Sequence, residues 1–325
     1  MARLIESVVG HAVEIKHLIQ LRESGRWPHA LLFAGPSGTG KRKIALAFAQ
    51  ILVCDNADRD PQGLACGVCG PCLRVQKEQS ESLLFLKPDE KAARPAIKVE
   101  AVRELLDSLS LASLGKARIV IVDNAQIMNP QASNALLKTL EEPFENVYFI
   151  LICEDLGQLL PTIRSRVQVV KFSALSFEEI QIVKPGKPDW AYRSSRGQID
   201  RLELLASPEG TQKREEALTL FEQFCADEEF LMASEWRASI KDRTWAQFNV
   251  TCWLQIIRDL VILKTQANKF ILNTDQIERL KKLFQIQSKK LLWLADQLVF
   301  AERDIQGNSD PVLVFEDLWV RYARK

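Results

Sequence analysis

Short apolar runs alternate with amphipathic stripes over the first 172 residues of the chain. Short apolar runs bounded by turn residues predict buried strands, and apolar residues recurring every three to four positions predict helices. The predicted strands are Ala30–Ala34, Leu83–Leu86, Arg118–Val122, Val147–Ile152 and Val167–Phe172. The predicted helices are Lys41–Val53, Val99–Leu109 and Pro130–Leu140. Because strands and helices alternate, we expect an α/β core with a parallel sheet over residues 1–172.

The pattern changes in the last third of the chain. Neither Gly nor Pro occurs between Thr211 and Gln306. An apolar stripe that begins at Val250 follows the i, i+3, i+4, i+7 spacing of an amphipathic helix, and a second stripe is interrupted at Gln287. We therefore predict an all-α domain over residues 208–325.

Residues 173–207 lie between these two parts and follow neither pattern. The sequence Lys-Pro-Gly-Lys-Pro stands at their centre, at 184–188, and such residues interrupt regular structure. We expect a small, irregular middle domain or lid here, with the boundary to the helical domain near residues 207–210.

Composition and charge narrow the class of protein. The chain has 325 residues, 43 basic and 42 acidic, so the formal charge is +1, and 47% of residues are hydrophobic. These values are ordinary for a folded soluble protein and exclude a chain-wide basic coat for nucleic acid. The sequence has neither an apolar run of roughly 20 residues nor a signal-peptide pattern, so we expect a cytoplasmic protein without membrane association.

Four of the seven cysteines are clustered within residues 54–72. Their spacing is C-x11-C-x2-C-x2-C, and two-residue gaps allow neighbouring thiolates to bind one ion. In a reducing compartment such a cluster indicates a metal rather than disulfides. We predict a structural zinc site with four thiolate ligands, which are Cys54, Cys66, Cys69 and Cys72.

Two other interpretations of the cysteine cluster stay open at this point. One is a reactive redox cluster. The other is a zinc-bearing module that binds nucleic acid beside an inert P-loop. That second interpretation calls for basic and aromatic residues near the cysteines. Residues 54–72 contain one basic residue, Arg59, and no aromatic residue.

A phosphate-binding loop follows the first predicted strand. Residues 35–42 read Gly-Pro-Ser-Gly-Thr-Gly-Lys-Arg and precede a predicted helix, which fits G-x-x-x-x-G-K between strand and helix. Gly35, Gly38, Gly40 and Lys41 are the candidate nucleotide-binding residues of this loop. Ser or Thr should follow the lysine and ligate Mg²⁺. Arg42 stands there instead and cannot coordinate a cation.

The second half of a nucleotide site is altered in the same way. The predicted strand over residues 118–122 ends at Asp123, the candidate residue for holding Mg²⁺. An active ATPase of this kind carries Glu next, to polarise the attacking water, whereas this chain has Asn124. We therefore predict no intrinsic ATP hydrolysis. Whether ATP or ADP binds, or whether the loop only packs, is left open.

Several longer motifs accompany the loop. They are His29–Phe33 before the P-loop, the four-cysteine insert after its helix, Asn-Ala-Leu-Leu-Lys-Thr-Leu-Glu-Glu-Pro at 134–143, Leu-Pro-Thr-Ile-Arg-Ser-Arg-Val at 160–167, and Arg303–Leu318. On these residues the chain resembles the clamp-loader subunits of the AAA+ class, most closely the delta-prime subunits of bacterial DNA polymerase III.

The resemblance implies a RecA-like AAA+ core, a small lid and a helical collar domain. It implies a hetero-pentameric ring with delta and gamma/tau subunits, as part of the DNA polymerase III holoenzyme at the replisome or nucleoid. That ring opens the sliding clamp beta and sets it on primer-template DNA. Within the family, delta-prime subunits do not hydrolyse ATP, which agrees with the changes at Arg42 and Asn124.

The resemblance also assigns roles to single residues. Ser165-Arg166-Val167 aligns with the family's Ser-Arg-Cys motif, so Arg166 is the candidate arginine finger for a neighbouring subunit's ATP site. A solvated arginine at the start of a strand is the other interpretation. Cys153 and Asp200 stand at the two sensor positions, and His11 replaces a glutamine of the family's adenine contact.

The main competing interpretation is a catalytically active gamma/tau-type clamp-loader ATPase. That class of protein requires Ser or Thr at position 42 and Glu at position 124. The chain has neither.

Overall fold

The chain forms two compact units, Met1–Val183 and Lys184–Lys325. The structure is a computed structural model that describes residues 3–25, 27–57, 60–88, 96–110, 116–226, 230–232 and 234–325. Arg59 lies outside the described residues. No helix in the described part of the chain combines the length and apolar character needed to cross a bilayer.

The first unit is built on a five-stranded sheet in the order β2-β3-β4-β1-β5, in which all pairs are parallel. The strands are β1 (Ala30–Ala34), β2 (Leu83–Leu86), β3 (Arg118–Val122), β4 (Val147–Cys153) and β5 (Gln168–Lys171). Three of the predicted ranges agree at both ends, β4 is one residue longer, and β5 is shorter than predicted by one residue at each end.

Seven helices accompany this sheet in the described part of the first unit. They are α1 (Ala12–Glu23), α2 (Lys41–Val53), α3 (Gly70–Gln76), α4 (Val99–Ser110), α5 (Pro130–Glu141), α6 (Pro161–Arg164) and α7 (Phe177–Val183). The predicted helix at Lys41–Val53 agrees with α2. The observed helices α4 and α5 each extend one residue beyond the end that was predicted.

Both faces of the sheet are covered by apolar side chains. Leu31 and Phe33 of β1 lie on one face and share a core with Phe48 of α2. Leu32 lies on the opposite face and shares a core with Leu136 of α5. This alternation follows from the two-residue period of a strand, and double coverage explains why the strands are apolar throughout.

The second unit consists of helices in its described residues. They are α8 (Asp189–Ser195), α9 (Ile199–Leu205), α10 (Pro208–Ala226), α11 (Glu235–Ile240), α12 (Arg243–Lys264), α13 (Ile277–Lys282), α14 (Ser288–Gln306) and α15 (Pro311–Ala323). The interruption predicted at Gln287 is a real break, because Gln287 is the N-cap of α14. With the parallel sheet of the first unit, these helices confirm the predicted fold class.

Trp253 of α12 lies at the centre of the second unit. Its side chain is fully buried, and its indole N–H donates a hydrogen bond of 2.9 Å to the carbonyl oxygen of Ala217 in α10. The ring centroid lies 4.8 Å from that of Phe224 and 5.2 Å from that of Phe315 in α15. Such pairs contribute about 0.5–1.5 kcal/mol each beyond area burial. One side chain thus connects three helices.

Residues 173–207 differ from the expected irregular segment. They contain three helices of seven residues each, α7, α8 and α9. Helices this short show no sustained sequence period, and packing of buried residues such as Ile180 and Leu202 stabilises them. The two units divide between Val183 and Lys184, where the Pro- and Gly-containing segment begins. The three-part division at 172 and 207 stays a prediction.

Gly35 lies where the backbone leaves no space for a side chain, and a substitution there tests this constraint. A Cβ atom on Gly35 would lie 2.1 Å from the carbonyl oxygen of Phe172, and the φ of Gly35 is +154°. We expect Gly35→Ala to lower the free energy of unfolding by about 1–3 kcal/mol through overpacking, in addition to a left-handed strain of about 1–2 kcal/mol. Urea denaturation followed by circular dichroism measures this.

Gly40→Ala is the matched control. Gly40 has a φ of +92°, but a Cβ atom there would meet nothing within 4 Å. This variant should show the strain alone. Equal losses of stability in the two variants would contradict the proposed clash at Gly35.

Candidate functional site

The P-loop begins where β1 ends, between β4 and β5. The amide of Gly35 donates a hydrogen bond of 3.2 Å to the carbonyl oxygen of Cys153 at the end of β4. On the other side, the backbone of Phe172 leaves no space for a side chain at residue 35. Gly38 and Gly40 have φ values of +65° and +92°, which favour glycine. The sheet therefore fixes the start of the loop, and the glycines allow its turns.

Lys41 is the first residue of α2, and its side chain is buried. Its ammonium donates hydrogen bonds to the loop's own carbonyl oxygens, 2.6 Å to Gly35 and 2.5 Å to Pro36. The positive end of the α2 dipole acts at the same place. The loop therefore concentrates positive charge at the N-terminus of α2, as a phosphate site requires.

Arg42 lies beside Asp123, the residue that follows β3. Its Nε is 3.6 Å from Asp123 Oδ2, and its Nη2 is 2.5 Å from Glu78 Oε2. Its guanidinium carbon also lies 5.3 Å from the ring centroid of Phe85 in β2. The structure thus places Asp123 next to the P-loop, as the sequence predicted, and the guanidinium of Arg42 contacts its carboxylate. Sequence reasoning missed Glu78, since no local pattern relates it to Arg42.

The position after Asp123 has no carboxylate. Asn124 has a φ of +54°, and its side-chain oxygen accepts a hydrogen bond of 3.4 Å from Gln126 Nε2. Across the sheet, burial raises the pKa of Cys153 to about 11, although the positive charge of Lys41 opposes this effect. The thiol is therefore neutral near pH 7, and neither side chain can accept a proton from water there.

His11 contacts the P-loop backbone. Its side chain is buried, and its Nε2 donates a hydrogen bond of 2.8 Å to the carbonyl oxygen of Thr39. Its ring packs edge-on against Phe172, with 5.1 Å between the centroids. These contacts give His11 a role in holding the loop.

Of the two predicted sensor positions, Cys153 lies at the end of β4, whereas Asp200 lies in α9 of the second unit.

The four clustered cysteines converge at the end of α2. Cys54 follows the last residue of α2, Cys69 is the N-cap of α3, and Cys72 lies within α3. All four sulfur atoms, including that of Cys66, lie within 4.8 Å of one another. The sulfurs of Cys54 and Cys69 are 4.0 Å apart. Four sulfurs bound tetrahedrally at about 2.3 Å from one ion would be about 3.8 Å apart.

Backbone amides surround these sulfurs. Amides of Asn56 and Cys66 donate to Cys54 Sγ at 3.4 and 3.3 Å. Backbone hydrogen bonding, from Val68 above all, lowers the pKa of Cys66 to about 6. Burial raises the pKa of Cys54 and of Cys72. The cluster combines soft sulfur ligands with no carboxylate or histidine among them, which fits a closed structural zinc site.

Gln50 connects the cysteine cluster to the rest of the first unit. It is fully buried in α2, and its Nε2 donates a hydrogen bond of 3.2 Å to the carbonyl oxygen of Cys72. Its Oε1 accepts a hydrogen bond of 3.0 Å from the amide of Leu4. Sequence reasoning missed this residue. The available signal was an amide side chain within the otherwise apolar stripe of Lys41–Val53.

Arg166 lies between α6 and β5 with about a third of its side chain exposed. Its Nε donates a hydrogen bond of 2.7 Å to Glu141 Oε1, at the end of α5. Its Nη1 donates a hydrogen bond of 2.9 Å to the carbonyl oxygen of Thr162. The arginine is therefore paired within the chain and also accessible at the surface. Glu141 belongs to the motif at 134–143, but no local pattern in the sequence relates it to Arg166.

The chain is similar to known proteins over much of its length. Residues 10–176, just over half of the chain, match the family model described as "DNA polymerase III, delta subunit". DNA polymerase III subunit delta' of Bacillus subtilis is 27% identical over 277 residues, which are 82% of each protein. Subunit delta' of Pseudomonas aeruginosa is 38% identical over 148 residues, 45% of this chain and 44% of that protein.

Two further proteins are similar to this chain. DNA polymerase III subunit tau of Escherichia coli is 35% identical over 175 residues, 54% of this chain and 26% of that protein. A solved structure of a DNA polymerase III gamma subunit-related protein from Thermotoga maritima is 18% identical, covers 95% of this chain and 98% of that chain, and has a TM-score of 0.48. The matching family model decides the assignment. The chain belongs to the DNA polymerase III delta subunit family, and the resemblance to its delta-prime subunits is confirmed.

Proposed function

We propose that the chain is a non-hydrolysing subunit of the DNA polymerase III clamp loader, and that it donates Arg166 to the ATP site of a neighbouring subunit. The observation that carries this proposal is a contrast within one unit. The chain's own site has Arg42 and Asn124 where catalysis needs a metal ligand and a base, whereas Arg166 is accessible. A subunit with these features can complete another subunit's ATP site without hydrolysing ATP at its own.

The absence of hydrolysis is supported by the chemistry of Asn124. An amide neither gains nor loses a proton near neutral pH, so it cannot polarise an attacking water as a carboxylate does. Its side-chain oxygen is also hydrogen-bonded to Gln126. Asp123 faces a guanidinium at 3.6 Å. Both halves of the hydrolytic site are therefore altered.

The role of Arg166 in trans is supported by the weakness of its internal pairing. Glu141 is about half exposed, and exposed ion pairs contribute about 0–1 kcal/mol. Exchanging this carboxylate for a phosphate of a partner therefore costs little. In comparison, an arginine finger accelerates phosphoryl transfer by about 10³–10⁵-fold. Arg166 is thus held in position and can still be released to a neighbouring site.

The proposed partners are delta and gamma/tau subunits in a hetero-pentameric ring in the cytoplasm. Through that ring the chain would act on the sliding clamp beta and on primer-template DNA at the replisome. In this proposal Zn²⁺ has a structural role, because four cysteine sulfurs leave no position for a substrate. The thiolates of Cys54, Cys66, Cys69 and Cys72 would bind it.

The alternative function is a gamma/tau-type ATPase, and the similarity to tau of Escherichia coli is the observation that favours it. That similarity covers 54% of the chain. The residues at positions 42 and 124 weigh against it, since they are Arg and Asn.

Arg166→Ala should reduce DNA- and clamp-stimulated ATP turnover of the reconstituted loader in part. The adjoining site would lose about 10³-fold or more of its rate, while the other sites keep theirs. Clamp loading should fall further than turnover. A steady-state phosphate-release assay and a clamp-loading assay measure the two effects.

Arg164→Ala is the matched control, because Arg164 is an exposed arginine at the end of α6, two positions before Arg166. It should leave turnover unchanged. If the Arg166→Ala loader assembles and its ATP turnover is unchanged, Arg166 has a structural role and is not an arginine finger.

The purified chain alone should show no ATP turnover in the presence of Mg²⁺, because it lacks both the metal ligand and the base. A sensitive phosphate-release assay at saturating ATP tests this. A turnover rate of about 1 per second, which is within the usual range of enzymes, would instead support the gamma/tau-type alternative.

The purified chain should contain one zinc per molecule. Cys66→Ser should lose the metal and make residues near the cluster sensitive to proteolysis, because metal binding and local folding are coupled. Cys225→Ser, at a half-buried cysteine outside the cluster, should retain one zinc. Metal analysis by mass spectrometry distinguishes the variants, and a folded wild-type chain without zinc would overturn this assignment.

A further inference from the structure

The P-loop implies Mg²⁺, but the residues around Asp123 do not fit it. Mg²⁺ needs oxygen ligands in octahedral geometry. The position that should supply a hydroxyl carries Arg42, and a guanidinium has no acceptor atom. A cation of the protein already lies 3.6 Å from Asp123 Oδ2. A metal at this carboxylate would therefore meet a positive charge instead of a ligand.

Arg42 is held in this position from several sides. Glu78 Oε2 lies 2.5 Å from its Nη2, which is the shortest contact of the group. The Phe85 ring lies 5.3 Å from its guanidinium carbon, a distance at which the cation and the aromatic face attract. The Nε of Arg42 is buried and has no hydrogen-bond acceptor among the described residues. Its relation to Asp123 is therefore a contact between charges, like that of a metal counterion.

Glu78 follows the short helix that starts at the cysteine cluster. Helix α3 begins after Cys69, includes Cys72 and ends at Gln76. Glu78 follows in a left-handed conformation, with a φ of +53°, and its amide donates a hydrogen bond of 2.9 Å to the carbonyl oxygen of Val75. The helix that begins at the cysteine cluster thus ends two residues before the carboxylate that contacts Arg42.

We propose that Arg42 takes the place of Mg²⁺ at Asp123, with Glu78 as its positioning residue. The P-loop of this chain then has a built-in cation and excludes a divalent metal. This inference rests on the proposed function, because it supplies the physical reason for a site that does not hydrolyse. It also goes further, since it concerns metal binding, which can be measured without any turnover.

The test is a titration of the full chain with Mn²⁺ in the presence of ADP, followed by electron paramagnetic resonance of free Mn²⁺. Mn²⁺ takes oxygen ligands as Mg²⁺ does and lies below Zn²⁺ in affinity for protein sites, so it leaves the thiolate cluster intact. Wild type should bind no more Mn²⁺ than Asp123→Asn. Arg42→Ser should bind it at least tenfold more tightly than wild type, and Arg42→Ser with Asp123→Asn should lose this gain.

Lys43→Ser is the matched control. It also removes one positive charge from α2, but Lys43 is exposed and its ammonium donates to the carbonyl oxygen of Ser7. It should gain no Mn²⁺ site. A wild-type Mn²⁺ site that Asp123→Asn removes would overturn the inference, whether or not Arg42→Ser folds. Equal Mn²⁺ affinity of wild type and folded Arg42→Ser would overturn it as well.

These outcomes are separate from the proposed function. Hydrolysis of ATP by the wild-type chain would refute the non-hydrolysing role in a turnover assay. The Mn²⁺ titration reports only whether a metal can bind at Asp123, and it does so with ADP, which leaves no γ-phosphate to transfer.

Discussion

The parallel pairing of β1 with β4 is the constraint on which the candidate site depends. This pairing sets Ala34 opposite Cys153, so that the next amide, that of Gly35, reaches the Cys153 carbonyl oxygen. Since β3 pairs with the other side of β4, Asp123 emerges at the same edge of the sheet. The loop, its lysine and the aspartate therefore meet because of strand order.

Two arginines of the first unit differ in how carboxylates hold them. Arg42 contacts two carboxylates and an aromatic ring, and this set of contacts keeps its charge within the chain's own site. Arg166 pairs with one carboxylate, which is about half exposed, and donates to the carbonyl oxygen of Thr162. In the proposed function the same residue type thus fills one site and remains available to another, because Arg42 faces two carboxylates whereas Arg166 pairs with one that is more exposed.

Much of the fold could be predicted because its signals are local. The strands of the first unit are short apolar runs, so their period and bounding residues located them to within about a residue. Residues 173–207 were wrongly expected to be irregular, since α7, α8 and α9 are too short for a period to show. Their helical structure depends on burial against residues distant in the sequence, which no local pattern records.

The sequence by itself determined the five strands, the helices α2, α4 and α5, the P-loop and the four cysteines. It also determined that Arg42 and Asn124 stand where catalysis needs other residues. These features are carried by spacing along the chain, which is preserved in any fold. Only the tertiary structure decided what each side chain contacts. Arg42 and Glu78 are separated by 36 positions, and Arg166 and Glu141 by 25. Such pairs form because packing of the sheet and helices brings distant segments within a few ångströms.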